Sequence, residues 1–158
     1  MLGQILVGLA ASLCNIAVHA MVMAPMGSSA YRMLRRAHST HPRLRLALVM
    51  MATVTVLMVA HLIEVGIWAL VYRALEATPK KIDAFYFAFV NYTTLGYGDI
   101  LPVEDWRLLG PITAMNGVLL FGWSTAVIFH VLSRVSSLLP DSDGDEDANA
   151  AQRSRQQP

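Results

Sequence analysis

Three apolar stretches constrain the fold of this chain more than any other feature. They run over residues 2–26, 44–72 and 108–132. A helix needs roughly 20 apolar residues to cross the hydrocarbon core of a membrane, and each stretch reaches that length. A hydrophobic fraction of 55% with 15% charged residues is also typical of membrane proteins rather than of soluble domains. We therefore expect an all-α membrane protein with three transmembrane helices.

The first apolar stretch has a second interpretation, a cleaved secretory signal peptide. Residues 1–4 contain no Lys or Arg, however, so the basic segment that begins a signal peptide is missing. We expect residues 1–30 to form a retained transmembrane helix.

Positive charge is concentrated between the first two apolar stretches. The predicted loop 31–43 and its border carry five arginines: Arg32, Arg35, Arg36, Arg43 and Arg45. Loops rich in Lys and Arg stay on the cytoplasmic side of a membrane. The sequence therefore predicts a multi-pass protein of the cell membrane with its N-terminus outside and its C-terminus in the cytoplasm.

The last part of the chain, residues 136–158, has a different composition. An acidic run from Asp141 to Asp147 is followed by a polar stretch. Low hydrophobicity and blocks of charge predict a disordered cytoplasmic tail. The spacing lacks the later Glu of an EF-hand loop, which argues against calcium binding there.

A short aromatic segment, residues 82–92, lies between the second and third stretches and cannot span a membrane. Asp83 is placed to cap a helix that begins there. Irregular backbone at membrane depth is tolerated only where it is buried in protein or lines water. The segment is therefore expected to form a short re-entrant helix, whose C-terminal end carries partial negative charge.

The sequence TLGYGD at residues 94–99 directly follows that segment. Gly96 and Gly98 allow φ > 0 at every second position, so successive carbonyls can point the same way. A row of carbonyls aimed at one axis can replace the water shell of a potassium ion. A glycine-rich surface turn is the simpler alternative, but the hydropathy pattern and the topology both favour the first interpretation.

These residues resemble the filter of the pore-loop potassium channels. The likeness is to the two-transmembrane bacterial type, here with an extra N-terminal helix, and residues 44–135 form the pore domain (outer helix, pore helix, filter and inner helix). It implies that K+ binds to the backbone carbonyls of four residues: Thr94, Leu95, Gly96 and Tyr97. The Thr94 hydroxyl would add a further oxygen, and Gly98 would complete the filter. One loop cannot surround an ion, so the resemblance also implies a homotetramer.

The same resemblance assigns a filter-supporting role to five residues: Thr93, Asp99, Asn91, Tyr86 and Phe87. Tyr97 would point against the aromatic pore helix, where Asn91 could hydrogen-bond it. Some relatives pair a pore-helix glutamate with the aspartate of the filter, but Val90 occupies that position here. Relatives most often have Val where this chain has Leu95, a change that bears on potassium selectivity.

The third apolar stretch contains Gly117 and Gly122. Similar channels have a glycine near this depth where the inner helix bends, although close helix packing is an equal alternative for both. Asn116 is the polar residue of this stretch that we expect to face a water-filled cavity.

His61 and Glu64 lie three residues apart in the second stretch and share a helix face. Ionisable residues inside a membrane are costly and often functional, so a pH-sensing or gating pair is one hypothesis. A mutual hydrogen bond that fixes helix packing is the other, and two ligands are too few for a metal site. We expect His19 to be a packed or interfacial residue, and Trp68, Tyr72 and Trp106 to be anchors at the membrane boundary.

The sequence therefore predicts passive, potassium-selective conduction through a tetrameric filter. The alternatives are a weakly selective cation channel, a non-conducting pore-like sensor subunit and a potassium transporter with pore-like loops. No cofactor is expected beyond the transported K+, and no catalytic constellation occurs. A net charge of +1 argues against a nucleic-acid partner, and the expected partners are the lipid bilayer and further copies of this chain. Cys14 is the single cysteine, so no intrachain disulfide can form.

Overall fold

The computed structural model describes residues 1–29, 32, 42–79, 83–98 and 100–137. These residues form helices and connecting turns without any strand, which confirms the predicted all-α class. The predicted basic loop apart from Arg32, Pro42 and Arg43, the filter-support residue Asp99 and the predicted tail beyond residue 137 lie outside the described residues.

Four α-helices account for most of the structure. They are α1 (Leu2–Met23), α2 (Pro42–Ala74), α3 (Ala84–Tyr92) and α4 (Leu109–Ser136), with one 3-10 turn at Glu104–Trp106. Three helical segments are long and apolar enough to cross a membrane: Leu2–Ser29, Arg43–Ala74 and Glu104–Arg134. The three predicted transmembrane helices are therefore confirmed, and the nine-residue α3 is too short to be one.

The helices α1 and α4 run side by side in the same direction. Near the start of both, the Gln4 side-chain oxygen accepts a hydrogen bond from the Leu108 backbone N–H at 3.0 Å. One turn later Gly8 lets the helices approach closely, because a Cβ there would lie 2.7 Å from Ile112 Cδ1. The residue numbers rise together in both pairs, so the start of the chain lies at the same end of the molecule as the start of α4.

The helix α2 runs antiparallel to α4 and is joined to it by buried hydrogen bonds. The Trp68 indole donates to Asn116 Oδ1 at 3.0 Å, and the Tyr72 hydroxyl lies 2.8 Å from Thr113 Oγ1. Both aromatic side chains are fully buried. Their predicted role as boundary anchors is therefore wrong, because each finds its polar partner on a neighbouring helix instead of at the membrane surface.

The short helix α3 packs against both α2 and α4. It begins as predicted, with the Asp83 carboxylate accepting a hydrogen bond from the Phe85 N–H at 2.9 Å. Phe87 is buried and packs edge-on against Tyr72, with ring centroids 5.0 Å apart. Aromatic pairs favour this geometry, so the contact holds α3 at a fixed angle against α2.

The two central glycines of α4 differ in their surroundings. A Cβ at Gly117 would lie 2.0 Å from the backbone oxygen of Tyr92, the last residue of α3. A Cβ at Gly122 would meet no atom within 4 Å. Close packing therefore accounts for Gly117, whereas Gly122 remains available as the position where α4 could bend.

Candidate functional site

Residues 94–98 form an exposed, non-helical segment directly after the end of α3. Three of its residues take positive φ: Thr94 (58°), Gly96 (40°) and Gly98 (79°). Both glycines therefore adopt the conformation that the sequence predicted, and Thr94 extends the alternation by one step. An L-residue such as Thr rarely takes positive φ, so its neighbours must hold the Thr94 conformation in place.

The entry to this segment is tied to the last turn of α3. The Thr94 N–H donates to the Asn91 carbonyl and the Leu95 N–H donates to the Val90 carbonyl, both at 3.0 Å. The Thr93 hydroxyl donates to the Phe89 carbonyl at 2.8 Å. These bonds fix residues 94–98, the predicted filter segment, at the C-terminal end of α3, where the helix dipole favours a cation.

The predicted hydrogen bond between Asn91 and Tyr97 does not form within the chain. The Asn91 amide donates instead to the Phe87 carbonyl of its own helix at 2.9 Å. The Tyr97 side chain is 70% exposed, and Tyr86 is exposed on α3. These two rings are consequently available to a neighbouring molecule, whereas Phe87 is enclosed among the helices of its own chain.

A second polar arrangement lies inside the helix bundle, with Glu64 at its centre. His19 Nδ1 lies 2.7 Å from one carboxylate oxygen of Glu64. His61 Nδ1 lies 2.9 Å from the other oxygen, to which the Tyr92 hydroxyl also donates. The predicted contact between His61 and Glu64 is therefore present, but it is one part of a larger network that joins α1, α2 and α3.

Ser124 of α4 belongs to the same network and contacts both histidine rings on the side away from Glu64. Its Oγ lies 2.9 Å from His61 Nε2 and 3.4 Å from His19 Nε2. Both imidazole rings thus lie between one carboxylate and one hydroxyl. The side chains of His19 and Glu64 are fully buried, and that of His61 is 13% exposed. All four helices consequently meet at this network.

Asn116 does not face a cavity within the chain, contrary to the sequence-based expectation. It is 1% exposed, and its Oδ1 accepts hydrogen bonds from Trp68 Nε1 and from Asn15 Nδ2, both at 3.0 Å. The buried indole N–H requires an acceptor, and Asn116 supplies it. The residue therefore joins α4 to α1 and α2.

The sequence reasoning missed the contacts of Tyr92 and Ser124 in this network and those of two residues of α1, His19 and Asn15. The two residues of α1 carried a sequence signal. They lie four residues apart in α1, so they share one face of that helix. The same face carries the other buried polar and small residues of α1: Gly8, Ala11 and Ser12. A stripe of polar and small residues at helical spacing on an apolar helix was thus the available signal that α1 packs against other helices through this face.

Replacing Glu64 with Gln is expected to destabilise the folded chain strongly. The amide keeps the volume of the carboxylate, but its NH2 group presents hydrogens where an imidazole N–H or the Tyr92 hydroxyl now donates. Each hydrogen bond to a charged group that is lost costs about 1.5–3 kcal/mol. Thermal unfolding of the purified protein in detergent checks this result. Glu104→Gln is the matched control, because Glu104 is exposed, and it should leave the unfolding temperature unchanged.

Comparison with known proteins shows a similarity to ion channels. A protein-family model described as an ion channel matches residues 60–134. The two-pore potassium channel 4 of Arabidopsis thaliana is 36% identical over 62 residues, which is 38% of this chain and 22% of that protein. The chain therefore spans only a minor part of that relative. No solved structure gives a significant match.

Proposed function

We propose that this chain, whose residues 60–134 belong to the pore-loop potassium-channel family, is a potassium-selective channel that conducts K+ passively across a membrane. The observation that carries the proposal is the alternation of positive φ at Thr94, Gly96 and Gly98 in an exposed segment. This segment begins at the negative end of the α3 dipole, where a cation is favoured.

The K+ ligands in this proposal are the backbone carbonyls of Thr94, Leu95, Gly96 and Tyr97, with the Thr94 hydroxyl as a further oxygen. Alternating backbone conformations let successive carbonyls face one axis. The oxygens then replace the water that a potassium ion loses when it enters the filter. Movement follows the electrochemical gradient and needs no cofactor or catalytic residue.

One chain supplies one side of such a filter, so the functional unit in this proposal is a homotetramer around a fourfold axis. The exposed aromatic side chains of α3 and the filter support this assembly. Phe85, Tyr86, Phe89 and Tyr97 are all exposed in the single chain. Neighbouring copies would cover these rings and could thereby hold the filter at a fixed diameter.

The proposed orientation places the N-terminus outside the cell membrane and the C-terminus in the cytoplasm. The arginine-rich loop between α1 and α2 supports it, since basic loops remain cytoplasmic. The parallel course of α1 and α4 then puts Gln4, Leu108 and the start of α4 at the external end.

Purified protein in planar bilayers is expected to pass current whose reversal potential follows the potassium gradient. For a singly charged ion that shift is about 59 mV for each tenfold change in concentration ratio. Replacing K+ by Na+ on one side should move the reversal potential strongly, since sodium would cross poorly. Light scattering in mild detergent should give the mass of four chains.

Three outcomes would contradict the proposal. A monomeric protein excludes a filter built by symmetry, and tetramers without ion flux indicate a non-conducting subunit. A reversal potential near zero with K+ opposite Na+ indicates a weakly selective cation channel. In that last case Leu95→Val is the informative variant, because restoring the side chain common among similar channels should shift the reversal potential towards the potassium value.

A further inference from the structure

We propose that His19, His61 and Glu64 bind a divalent transition-metal cation of the zinc type. The three side chains come from α1 and α2, and their candidate ligand atoms lie within 4.8 Å of one another. Two histidines and one glutamate are a ligand set that proteins use for zinc. The sequence revealed only two of these ligands as a pair, and the packing of α1 supplies the third.

The spacing of the ligand atoms suits a small tetrahedral ion. His19 Nδ1 lies 2.7 Å from one Glu64 oxygen, and His61 Nδ1 lies 3.0 Å from the Tyr92 hydroxyl. Ligands with bonds of about 2.1 Å lie about 3.4 Å apart around a tetrahedral zinc ion. To admit the ion, the two contacting pairs would therefore move apart by about 0.7 Å and 0.4 Å. Any ligand pair near the 4.8 Å limit would move together, and the Tyr92 oxygen would be the fourth ligand.

Ser124 provides the outer support that a histidine-bound metal requires. A histidine that ligates metal through one ring nitrogen almost always donates a hydrogen bond from the other. Here His19 Nε2 and His61 Nε2 both face Ser124 Oγ, at 3.4 Å and 2.9 Å. A hydroxyl oxygen has two lone pairs, so Ser124 can accept both N–H groups while the two Nδ1 atoms hold the metal.

The same atoms are short of hydrogens when no cation is bound. When each Nδ1 carries a hydrogen that it donates to Glu64, both Nε2 atoms are acceptors, and the single Ser124 hydroxyl hydrogen can satisfy only one of them. When His61 instead carries its hydrogen on Nε2, its Nδ1 lies 2.9 Å from a Glu64 oxygen with no hydrogen of its own, and the single Tyr92 hydroxyl hydrogen has to serve both acceptors. A bound metal removes this deficit, and one added proton on an imidazole would also remove it, so the experiment must separate the two occupants.

Charge and burial also favour a cation at this position. The Glu64 carboxylate is fully buried, and an unpaired charge in an apolar interior is very costly. A divalent ion held by the two neutral imidazoles would be partly neutralised by this carboxylate. Two aromatic rings of α4 pack against the imidazoles and bring no charge, Trp123 against His19 and Phe121 against His61.

Metal binding at this site would connect α1 to the filter segment. Tyr92 is the last residue of α3 and lies two positions before Thr94. An ion held by His19 would therefore fix α1 against the helix end from which the filter begins. This ligand site does not depend on the proposed conduction, because metal binding is measured without any flux.

The test uses the purified full-length protein, treated with chelator and then titrated with Zn²⁺ or Co²⁺. We expect one metal per chain by elemental analysis and a visible Co²⁺ spectrum typical of tetrahedral coordination. Zn²⁺ should also raise the unfolding temperature of the unmodified protein, since a ligand that binds only the folded state stabilises it. His19→Ala and His61→Ala should each lose the bound metal, whereas His130→Ala, which changes an exposed histidine outside the cluster, should retain it.

Two results would overturn the proposal. The first is that the folded, unmodified protein binds neither ion. If flux or stability then varied with pH, and His19→Ala removed that variation, a proton would be the occupant of the site. The second is metal binding that survives both histidine substitutions. Should these variants fail to fold, Ser124→Ala decides the matter. Loss of the hydroxyl that supports both ligating histidines should weaken metal affinity roughly 10–100-fold, and an unchanged affinity in that variant would contradict the site.

Discussion

Gly117→Ala is expected to abolish potassium flux and to lower the free energy of unfolding by about 3 kcal/mol, at the upper end of the usual cost of overpacking. The new Cβ would lie 2.0 Å from the Tyr92 backbone oxygen, a separation that no pair of atoms tolerates. The clashing atom belongs to the backbone, so no change of side-chain rotamer can relieve the clash. Either α4 or the end of α3 must move.

Movement of Tyr92 would be costly because its side chain is held at the other end. The ring is fully buried, and its hydroxyl donates to Glu64. Residues 94 and 95 are in turn bonded to the carbonyls of the last turn of α3. Displacing α3 by even one ångström would therefore move the filter segment with it.

Gly122→Ala is the control for this prediction. A Cβ there would meet no atom within 4 Å, and Ala is a better helix former than Gly by about 1 kcal/mol. The stability of this variant should be unchanged or slightly increased. Unfolding temperature, tetramer mass and flux are measured for both variants. Equal behaviour of the two would show that Gly117 is not a packing glycine in the assembled protein.

The sequence predicted the helices of this fold well, because length, hydropathy and capping are local properties. Asp83 predicted the start of α3, and the spacing of His61 and Glu64 predicted their contact. The positive φ of Gly96 and Gly98 was equally predictable, since only glycine makes repeated positive φ inexpensive. These features depend on residues close together in the chain.

The register of α1 against the other helices could not be read in the same way. His19 meets Glu64 across 45 residues, and Asn15 meets Asn116 across 101. Hydropathy marks a helix as apolar without stating which face meets protein and which meets lipid. For the same reason Trp68 was expected at the membrane boundary, although its indole is satisfied inside the bundle by Asn116.

Gly98→Ala is expected to eliminate potassium current while leaving the tetramer intact. Gly98 has φ of 79°, and a Cβ there would meet no atom within 4 Å. Any effect is therefore conformational rather than steric. Holding an L-residue in the left-handed region costs roughly 1–2 kcal/mol, and a fourfold filter would contain this cost four times.

The backbone of the variant can relieve that strain by returning residue 98 to negative φ, which rotates the adjoining peptide groups and takes carbonyls away from the ion path. Gly66→Ala is the matched control, because Gly66 lies in α2 and a Cβ there would also meet no atom within 4 Å. That variant should conduct as the unmodified protein does. Bilayer recordings and light scattering on both proteins separate loss of conduction from loss of assembly. If Gly98→Ala still carried selective potassium current, strain at residue 98 would have no effect on conduction. The backbone at residue 98 would then not shape the ion path.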